Sequence, residues 1–279
     1  MENLSDGVYE DVKFEKSYCA FLDVLGFKEY VLRNAGDHAA FQHVVRALRA
    51  GREQFKDPEE RKFFKVKNFS DNVMVSVKHR GDGLFLPTLF EFICRYQKEL
   101  VWHGMFVRGG VALGELYVGS DTIYGDALIE AYEIESQSAV YPVVMLSDKV
   151  IEFAKNSSYF HAATGVWRYG DFHDIFVCFE GRYYINYLKS AVVFFTDKEG
   201  GYSSYLDVHF LRQHQRLLQE RLLEFLNSQK IYRKYCFLAK YHNAFCAACV
   251  RFDEYKDDLM VNIPETEVSF SSRAEFFGI

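Results

Sequence analysis

Proline is scarce in this chain of 279 residues, which contains only 4. Long proline-rich linkers are therefore excluded. The chain also lacks any run of about 18 consecutive apolar residues, so we expect no membrane-spanning helix. Residues 1–16 are acidic and lack the apolar segment of a secretory signal. We therefore expect a soluble, cytoplasmic protein that does not act on a membrane.

Positive charge is also in short supply, because 33 Lys and Arg stand against 39 Asp and Glu and give a net charge of -6. Such an overall field does not favour a nucleic-acid partner, and we predict none. The six cysteines are scattered through apolar segments, which is typical of core thiols in a reducing compartment. The hydrophobic share, 49%, is large enough to bury a sizeable core.

The sequence CAFLDVLGF (Cys19–Phe27) is an apolar run that contains one carboxylate. Its apolar residues have no helical spacing, which predicts a buried strand ending near Asp23. A carboxylate in such a place needs a partner, for which a metal ion is one candidate and capping of a following helix is the alternative. Gly26 permits a tight turn, after which the amides of Leu25 to Phe27 would open a helix and bind phosphate oxygens. This segment therefore predicts a site for a metal nucleotide.

A second aspartate lies in the sequence FFKVKNFSDNVMVSVKH, residues 63–79. Valines alternate with other residues over 73–77, and residues 63–69 form a second β-rich arm. Ser70, Asp71 and Asn72 between the arms are residue types that favour tight turns. We predict a β-hairpin with Asp71 at its tip.

The order of the remaining elements predicts the fold class. Helical spacing is present at residues 37–55 and 86–102, and further strands and helices alternate to about residue 188. This order predicts an α+β fold in which helices pack on an antiparallel-rich sheet. Amphipathic spacing after residue 205 predicts two long helices. We therefore divide the chain into a domain at residues 1–188 and a helical C-terminal extension at residues 189–279.

Three segments together resemble the catalytic core of the class III nucleotidyl cyclases: CAFLDVLGF, FSDNVMVSV and VRGGVALGELYVGSDTIYGDALIEAYEIES. The first matches the family's F-x-D-x-x-G-F element, and the second places Asp71 in a hairpin turn, where the family has an aspartate that usually follows glycine. The third matches a glycine-rich strand pair and a Tyr-Gly-Asp entry to a helix. The resemblance covers about residues 18–151 and implies a ferredoxin-like, palm-type catalytic domain that cyclises a nucleoside triphosphate.

The resemblance also implies the site. Asp23 and Asp71, with the backbone carbonyl of Val24, would bind two divalent ions, Mn²⁺ or Mg²⁺. The ribose 3'-hydroxyl would then attack the α-phosphate while pyrophosphate leaves. The nucleotide-binding residues implied in this way are Phe21, Val24, Leu25, Gly26, Phe27, Lys67 and Thr122. Since class III sites are built between two catalytic domains, a single copy implies a homodimer with sites at the interface, across which Lys67 and Thr122 would reach.

The chain departs from the family where the transition state is stabilised. The usual Asn and Arg of the helix after the Tyr-Gly-Asp entry are replaced by Ile129 and Glu133. We expect Arg108 to supply the missing guanidinium, because Gly109 and Gly110 beside it would let a phosphate approach closely. An ordinary surface arginine is the alternative at this position.

A second departure concerns the base. Cyclases that read adenine have a lysine and an aspartate, whereas this chain has Lys67 and Thr122. Its LDVLGF, FSDN, RGG and YGDALIEAYEIE sequences resemble bacterial pyrimidine cyclases of antiphage defence, whose cyclic nucleotide product acts on a separate effector. The donors of Lys67 suit the two carbonyl oxygens of uracil, so we predict UTP ahead of CTP. A cytidylate or adenylate cyclase, or a degenerate domain that binds nucleotide without catalysis, are the alternatives.

Overall fold

The computed structural model describes residues 13–55, 63–81, 83–156, 175–179, 181–196 and 200–264. The strands are β1 (Glu15–Val24), β2 (Phe64–Phe69), β3 (Asn72–Lys78), β4 (Val107–Val118), β5 (Ile123–Tyr124), β6 (Val144–Leu146), β7 (Phe176–Phe179), β8 (Arg182–Ile185), β9 (Val192–Thr196) and β10 (Tyr202–Leu206). The helices are α1 (Phe27–Arg33), α2 (His38–Glu53), α3 (Leu86–Trp102), α4 (Asp126–Glu133), α5 (Asp148–Asn156), α6 (Val208–Glu224) and α7 (Gln229–Ala248). A π-helical turn, Ile134–Ser138, continues α4. In these ranges, no helix combines the length and the apolar character that crossing a bilayer requires.

The main sheet has the strand order β2-β3-β1-β4-β6-β8-β7, and β5 pairs with the end of β4. Among the described strands of this sheet, β4 and β6 are the one parallel pair, and the other neighbours are antiparallel. Strands β9 and β10 form a separate two-stranded sheet. Helices pack on the main sheet, which confirms the predicted α+β fold with an antiparallel-rich sheet.

Strand β1 lies between β3 and β4. Its residues Tyr18, Ala20 and Leu22 are fully buried, because the strand has a neighbour on each edge and packing against its faces. The prediction of a buried first strand is therefore confirmed. Asp23 is the penultimate residue of this strand and lies opposite Arg108 of β4.

The two faces of the sheet are covered unequally. Leu22, Val73 and Val111 point to one face and join the main hydrophobic cluster, to which α2 and α3 contribute. The opposite face holds a small cluster formed by Cys19, Met74, Ala112 and Leu116, with Ala127 and Ala131 of α4 packed over it. Side chains alternate along a strand, so the cross-strand row Lys67, Met74, Phe21 and Gly110 belongs to this second face.

Helix α4 approaches the sheet closely at Gly110. A Cβ atom there would lie 2.5 Å from the carbonyl oxygen of Ala131 and 2.6 Å from Cβ of Ile134. A Cβ atom at Gly109 would lie 2.5 Å from the carbonyl oxygen of Phe21. The expectation that these two glycines let a phosphate approach is therefore wrong, since the space belongs to the protein's own backbone and to α4.

The two long C-terminal helices predicted from the sequence are present as α6 and α7. Apolar residues of both, including Phe210 and Phe237, belong to the same hydrophobic cluster as α3 and the sheet. A buried polar contact also joins them, with Nδ1 of His214 lying 3.0 Å from Nδ1 of His242. The boundary at residue 188 stays a prediction, but the helices that follow it share their core with the sheet.

Candidate active site

Asp71 lies at the tip of the β2–β3 hairpin, as predicted. Phe69 and Asn72 are the last cross-strand pair, so Ser70 and Asp71 form a two-residue turn. Ser70 has a φ of 57°, the left-handed conformation that such turns require and that glycine adopts most easily. The turn thus has the backbone of a glycine-containing hairpin with serine in the glycine's place, and it carries Asp71 to the end of the sheet where β1 ends.

The register of β1 and β4 brings Arg108 to Asp23. Arg108 Nε donates a hydrogen bond to Asp23 Oδ2 at 3.1 Å. A second nitrogen of the same guanidinium, Nη2, lies 2.7 Å from Oε1 of Glu135. Arg108 is therefore not an ordinary surface arginine, because it contacts both the proposed catalytic residue Asp23 and a second carboxylate, that of Glu135.

Glu135 is the residue of this site that the sequence did not reveal. It lies in the π-helical turn after α4, and its side chain is 6% exposed. A π turn shifts the helical phase, so the spacing from Asp126 does not show which side chains of this segment face the sheet. The signal in the sequence is Gly110, two residues after Arg108. A glycine within a strand often marks the close approach of another element, and here that element is α4, which leads into the turn that carries Glu135.

Burial and like charge raise the proton affinity of the carboxylates. Burial raises the pKa of Asp23 to about 7, and the charges of Glu135 and Asp71 add to the rise, while Arg108 opposes it. Burial also raises the pKa of Glu135, against the effect of Arg108. Asp71 thus acts electrostatically on Asp23, and the guanidinium of Arg108 contacts two carboxylates, those of Asp23 and Glu135.

These carboxylates suit a hard cation with oxygen ligands. In the described ranges, no three His, Cys, Asp or Glu side chains are arranged to hold a metal ion by themselves. The donors at hand are Asp23 and Asp71, which a divalent ion would relieve of their mutual repulsion. Mg²⁺ and Mn²⁺ commonly use one or two carboxylates together with substrate phosphates and water, and this donor set fits that pattern. The contribution of the Val24 carbonyl stays a prediction.

The turn after β1 is only partly free to bind a phosphate. Gly26 has a φ of 75° and is the N-cap residue of α1, so Asp23 does not cap this helix. The amide of Leu25 donates to the carbonyl oxygen of Phe106 at 2.8 Å, which corrects the expectation that it points to a phosphate. The amides of Gly26 and Phe27 remain the candidates for that role.

Lys67 lies on the second face of the sheet, over which α4 packs, and Thr122 lies in the turn between β4 and β5. The ammonium of Lys67 donates to the carbonyl oxygen of Ser120 at 2.5 Å, and Thr122 follows two residues later. Thr122 is exposed, and Phe21 of the same cross-strand row packs against Tyr132 with ring centroids 5.6 Å apart. Lys67 therefore contacts the turn that carries Thr122 within one chain, and the roles of both residues in base recognition stay predictions.

The two positions that would carry Asn and Arg by the family resemblance face solvent. Ile129 is 59% exposed on α4, and Glu133 at the end of the same helix is also exposed. Neither side chain offers a donor to a phosphate. In the described part of the chain, Arg108 is the guanidinium that contacts Asp23.

No protein-family model matches the sequence. No curated protein matches it either. Among solved structures, the chain is similar to the adenylyl cyclase CyaB from Pseudomonas aeruginosa, with 17% identity, coverage of 53% of this chain and 84% of that chain, and a TM-score of 0.43. It is similar to the monomeric guanylyl cyclase domain of the RhoGC fusion protein from the aquatic fungus Blastocladiella emersonii, with 17% identity, coverage of 52% and 89%, and a TM-score of 0.36. For a class III adenylyl cyclase-like ATP-binding protein from Pseudomonas aeruginosa the identity is 12%, the coverage 54% and 38%, and the TM-score 0.40.

Proposed function

We propose that this chain is a nucleotidyl cyclase that converts UTP to 3',5'-cyclic UMP and pyrophosphate. The observation that carries the proposal is that Asp23 and Asp71, from two separate elements, lie within electrostatic range of each other while Arg108 donates a hydrogen bond to Asp23. The motif resemblance assigns the two aspartates to catalysis, and the geometry supports it because buried like charges are retained at a cost unless a cation joins them.

The proposed reaction is an in-line displacement at the α-phosphate. The 3'-oxygen forms a bond to phosphorus, the bond to the bridging oxygen of pyrophosphate breaks, and the hydroxyl proton leaves to solvent. Asp23 and Asp71 would hold the divalent ions, which when bound would supply Lewis acidity toward the hydroxyl and neutralise charge on the leaving group. The amides of Gly26 and Phe27 offer donors to the phosphates.

Arg108 is the proposed donor to the phosphate in the transition state. Its side chain is 25% exposed, so a ligand can reach it. A guanidinium holds two oxygens at once, and Arg108 already contacts Asp23 and Glu135 with different nitrogens. With a cation bound at Asp23, the Nε donor of Arg108 would be available to a phosphate oxygen, and Glu135 would orient the guanidinium.

Recognition of uracil is proposed for Lys67 and Thr122. Lysine offers donors only, which suits the O2 and O4 carbonyl oxygens of uracil, whereas cytosine has an amino group at the second place. The threonine hydroxyl donates or accepts at the remaining edge. The contact of Lys67 with the Ser120 carbonyl supports the pairing, because it keeps the ammonium beside the segment that carries Thr122.

The proposed active form is a homodimer with two sites at the interface. Large apolar side chains are exposed on or next to the second face of the sheet, including Phe69 at 51%, Ile129 at 59% and Tyr132 at 52%. A second copy would bury such a surface. Lys67 and Thr122 of one protomer would then read the base of the nucleotide held at Asp23 and Asp71 of the other. The product is proposed to act on a separate effector in antiphage defence, as the motif resemblance implies.

Competition among substrates tests this function. The purified chain is incubated with Mn²⁺ and equal amounts of UTP, CTP, ATP and GTP, and products are identified by mass spectrometry. Predominant cyclic UMP with an equal amount of pyrophosphate supports the proposal. Predominant cyclic CMP would remove the role given to Lys67, predominant cyclic AMP or GMP would contradict the pyrimidine assignment, and binding without product would leave a degenerate, non-catalytic domain.

A further inference from the structure

A groove lies between helix α3 and strand β9, and it encloses about 470 Å³. One wall is a face of α3 that includes Pro87, Glu91 and Lys98, which the helical repeat puts on the same side. The opposite wall is formed by residues 189–190 and 192–194. This volume is typical of small-molecule sites in proteins, and no residue of the candidate active site is among the described residues that line the groove.

Cationic side chains from both walls lie at one end of the groove. Lys98 Nζ donates a hydrogen bond to the carbonyl oxygen of Ser190 at 3.0 Å, which puts it beside Lys189 of the opposite wall. Arg95 lies about one turn away on the same face of α3. Lys98 also pairs with Asp207 Oδ2 at 2.8 Å, and this ion pair fixes the position of its ammonium. The end of the groove at Lys98 and Lys189 is therefore its basic end.

The rest of the lining is mostly apolar. Its described apolar residues include Leu84, Pro87, Ile175, Val192, Val193 and Phe194. Pro87 precedes Lys98 by eleven residues, which is about 16 Å along a helix axis, so the groove extends well away from its basic end. Glu91, between them, is the one carboxylate among the described residues of the lining. Such a groove is complementary to a ligand that has an apolar body and one anionic group.

We propose that the groove between α3 and β9 binds an elongated amphipathic anion, with its anionic group at the basic end and its apolar body along Pro87 and Val193. Burial of the body removes apolar surface from water on both partners, and the anionic group accepts charge-assisted hydrogen bonds from Lys98 and Lys189. The site is separate from the nucleotide site, and it does not depend on the proposed function. A nucleotide matches it poorly, because its sugar and base carry many polar groups that the apolar walls would leave unpaired.

Calorimetric titration of the full chain with decanoate tests this site. Decylammonium has a chain of the same length and the opposite charge, so the pair of ligands separates charge selectivity from simple apolar burial. We expect decanoate to bind at least about tenfold more tightly than decylammonium, because the ammonium head would face Lys98 and Lys189. Glu91→Gln removes the negative charge of the lining and is expected to tighten decanoate binding.

Two variants test the two ends of the groove independently. Lys189→Met keeps an unbranched side chain and removes the charge, and we expect it to weaken decanoate binding about fivefold, as for loss of one charge-assisted hydrogen bond at a half-buried site. Lys149→Met, at an exposed lysine of α5 that is not among the described lining residues, is the matched control and should have the affinity of the parent. Val193→Trp adds a ring to the apolar part and is expected to weaken binding without a change in charge.

Three results would overturn the proposal. They are equal affinities of the parent for decanoate and decylammonium, equal decanoate affinities of Lys189→Met and Lys149→Met, and no decanoate binding by the parent at millimolar concentration. Excess UMP is expected to leave decanoate binding unchanged, and competition between the two would show that the groove is a nucleotide site instead. A melting curve checks that each variant is folded, and Lys189→Arg, which keeps the charge, is expected to retain binding.

Discussion

Asp23 lies among two further carboxylates and one guanidinium, and this balance determines when it is charged. Arg108 favours the carboxylate, whereas burial, Glu135 and Asp71 favour the protonated form. Despite the hydrogen bond from Arg108 at 3.1 Å, the pKa of Asp23 is about 7, so the carboxyl is only partly ionised at neutral pH without an added cation.

Glu135 is a positioning residue for Arg108, and replacing it separates this role from simple packing. Glu135→Gln keeps the size of the side chain and removes one negative charge next to Asp23. We expect the rising limb of the pH–rate profile to move to lower pH by about one unit and kcat to fall about tenfold, because Asp23 ionises more easily and Arg108 is held less firmly. Steady-state kinetics across pH measure both effects.

The exposed Glu133, on the same helical segment, provides the control. Glu133→Gln removes the same charge away from Arg108 and is expected to leave the pH–rate profile in place. Identical profiles for the two variants would show that Glu135 does not act through Asp23 and Arg108.

Stability in the absence of divalent ions reports on Asp23 directly. The pKa of Asp23 is raised from 3.8 to about 7, so between these values the folded state binds more protons than the unfolded state. The contribution of protonated Asp23 to stability is therefore present below about pH 4 and is lost as the pH rises through about 7. We expect the melting temperature in EDTA to fall by about 4 °C between about pH 5 and about pH 8 as a result.

Asp23→Asn is expected to remove most of this fall, and addition of Mn²⁺ to the parent at the higher pH is expected to reverse it. Asp121→Asn, in the exposed loop after β4, is the control and should retain the fall. A pH dependence that is the same in the Asp23→Asn variant and the parent would contradict the assignment of the raised pKa.

At the scale of elements, the turn of the β2–β3 hairpin holds a serine in a backbone conformation that favours glycine. Ser70 adopts a left-handed conformation that costs about 1 kcal/mol for a residue with a Cβ atom, and glycine avoids this cost. We expect Ser70→Gly to raise the free energy of unfolding by up to about 1 kcal/mol and to leave the carboxylate of Asp71 in place. Thermal melting and the cyclase assay together measure the effect.

Asn68→Gly, in ordinary strand conformation two residues earlier, is the matched comparison and should destabilise the hairpin. If both glycine variants lose stability equally, the turn at Ser70 is not strained. Loss of activity in Ser70→Gly alone would show that the serine has a chemical role that its backbone geometry does not explain.

How far the sequence predicts each element depends on whether the signal is local. The apolar run ending at Asp23 and the turn residues before Asn72 are local patterns, and they correctly place β1 and the tip of the hairpin. The contact between Arg108 and Asp23 depends on strand register, which the sequence gives only through the pairing of whole strands. Glu135 depends on a π turn, and it has no local pattern that points to the site.

At the scale of the whole molecule, the hydrophobic core does not stop at the sheet. Leu218 and Phe237 of the C-terminal helices are buried in the same cluster as Leu89 of α3 and Leu22 of β1. Truncation after residue 188 would expose this surface, so we expect the remaining sheet region to be insoluble or strongly destabilised when expressed alone. A soluble, cooperatively melting fragment 1–188 would instead support an independent domain and a separable extension.

The proposed dimer is tested by complementation between two inactive variants. Asp23→Ala removes a catalytic group and Lys67→Met removes the proposed base contact, so each is expected to have little activity alone. If these residues come from opposite protomers, a heterodimer has one site with both residues intact, and refolding an equal mixture should restore about a quarter of the parent activity. No recovery in a mixture shown to exchange subunits would mean that Asp23 and Lys67 of one chain serve the same site.

The central claim is that Asp23 and Asp71 together perform nucleotide cyclisation, and the most direct test is product formation by isosteric variants. The parent, Asp23→Asn, Asp71→Asn and the control Asp121→Asn are incubated with Mn²⁺ and UTP, and cyclic UMP and pyrophosphate are quantified by mass spectrometry. We predict equal amounts of both products from the parent and from Asp121→Asn, and a loss of at least about 1,000-fold in each of the other two variants while their melting curves show a folded protein. Turnover close to that of the parent in either Asp23→Asn or Asp71→Asn would contradict the account.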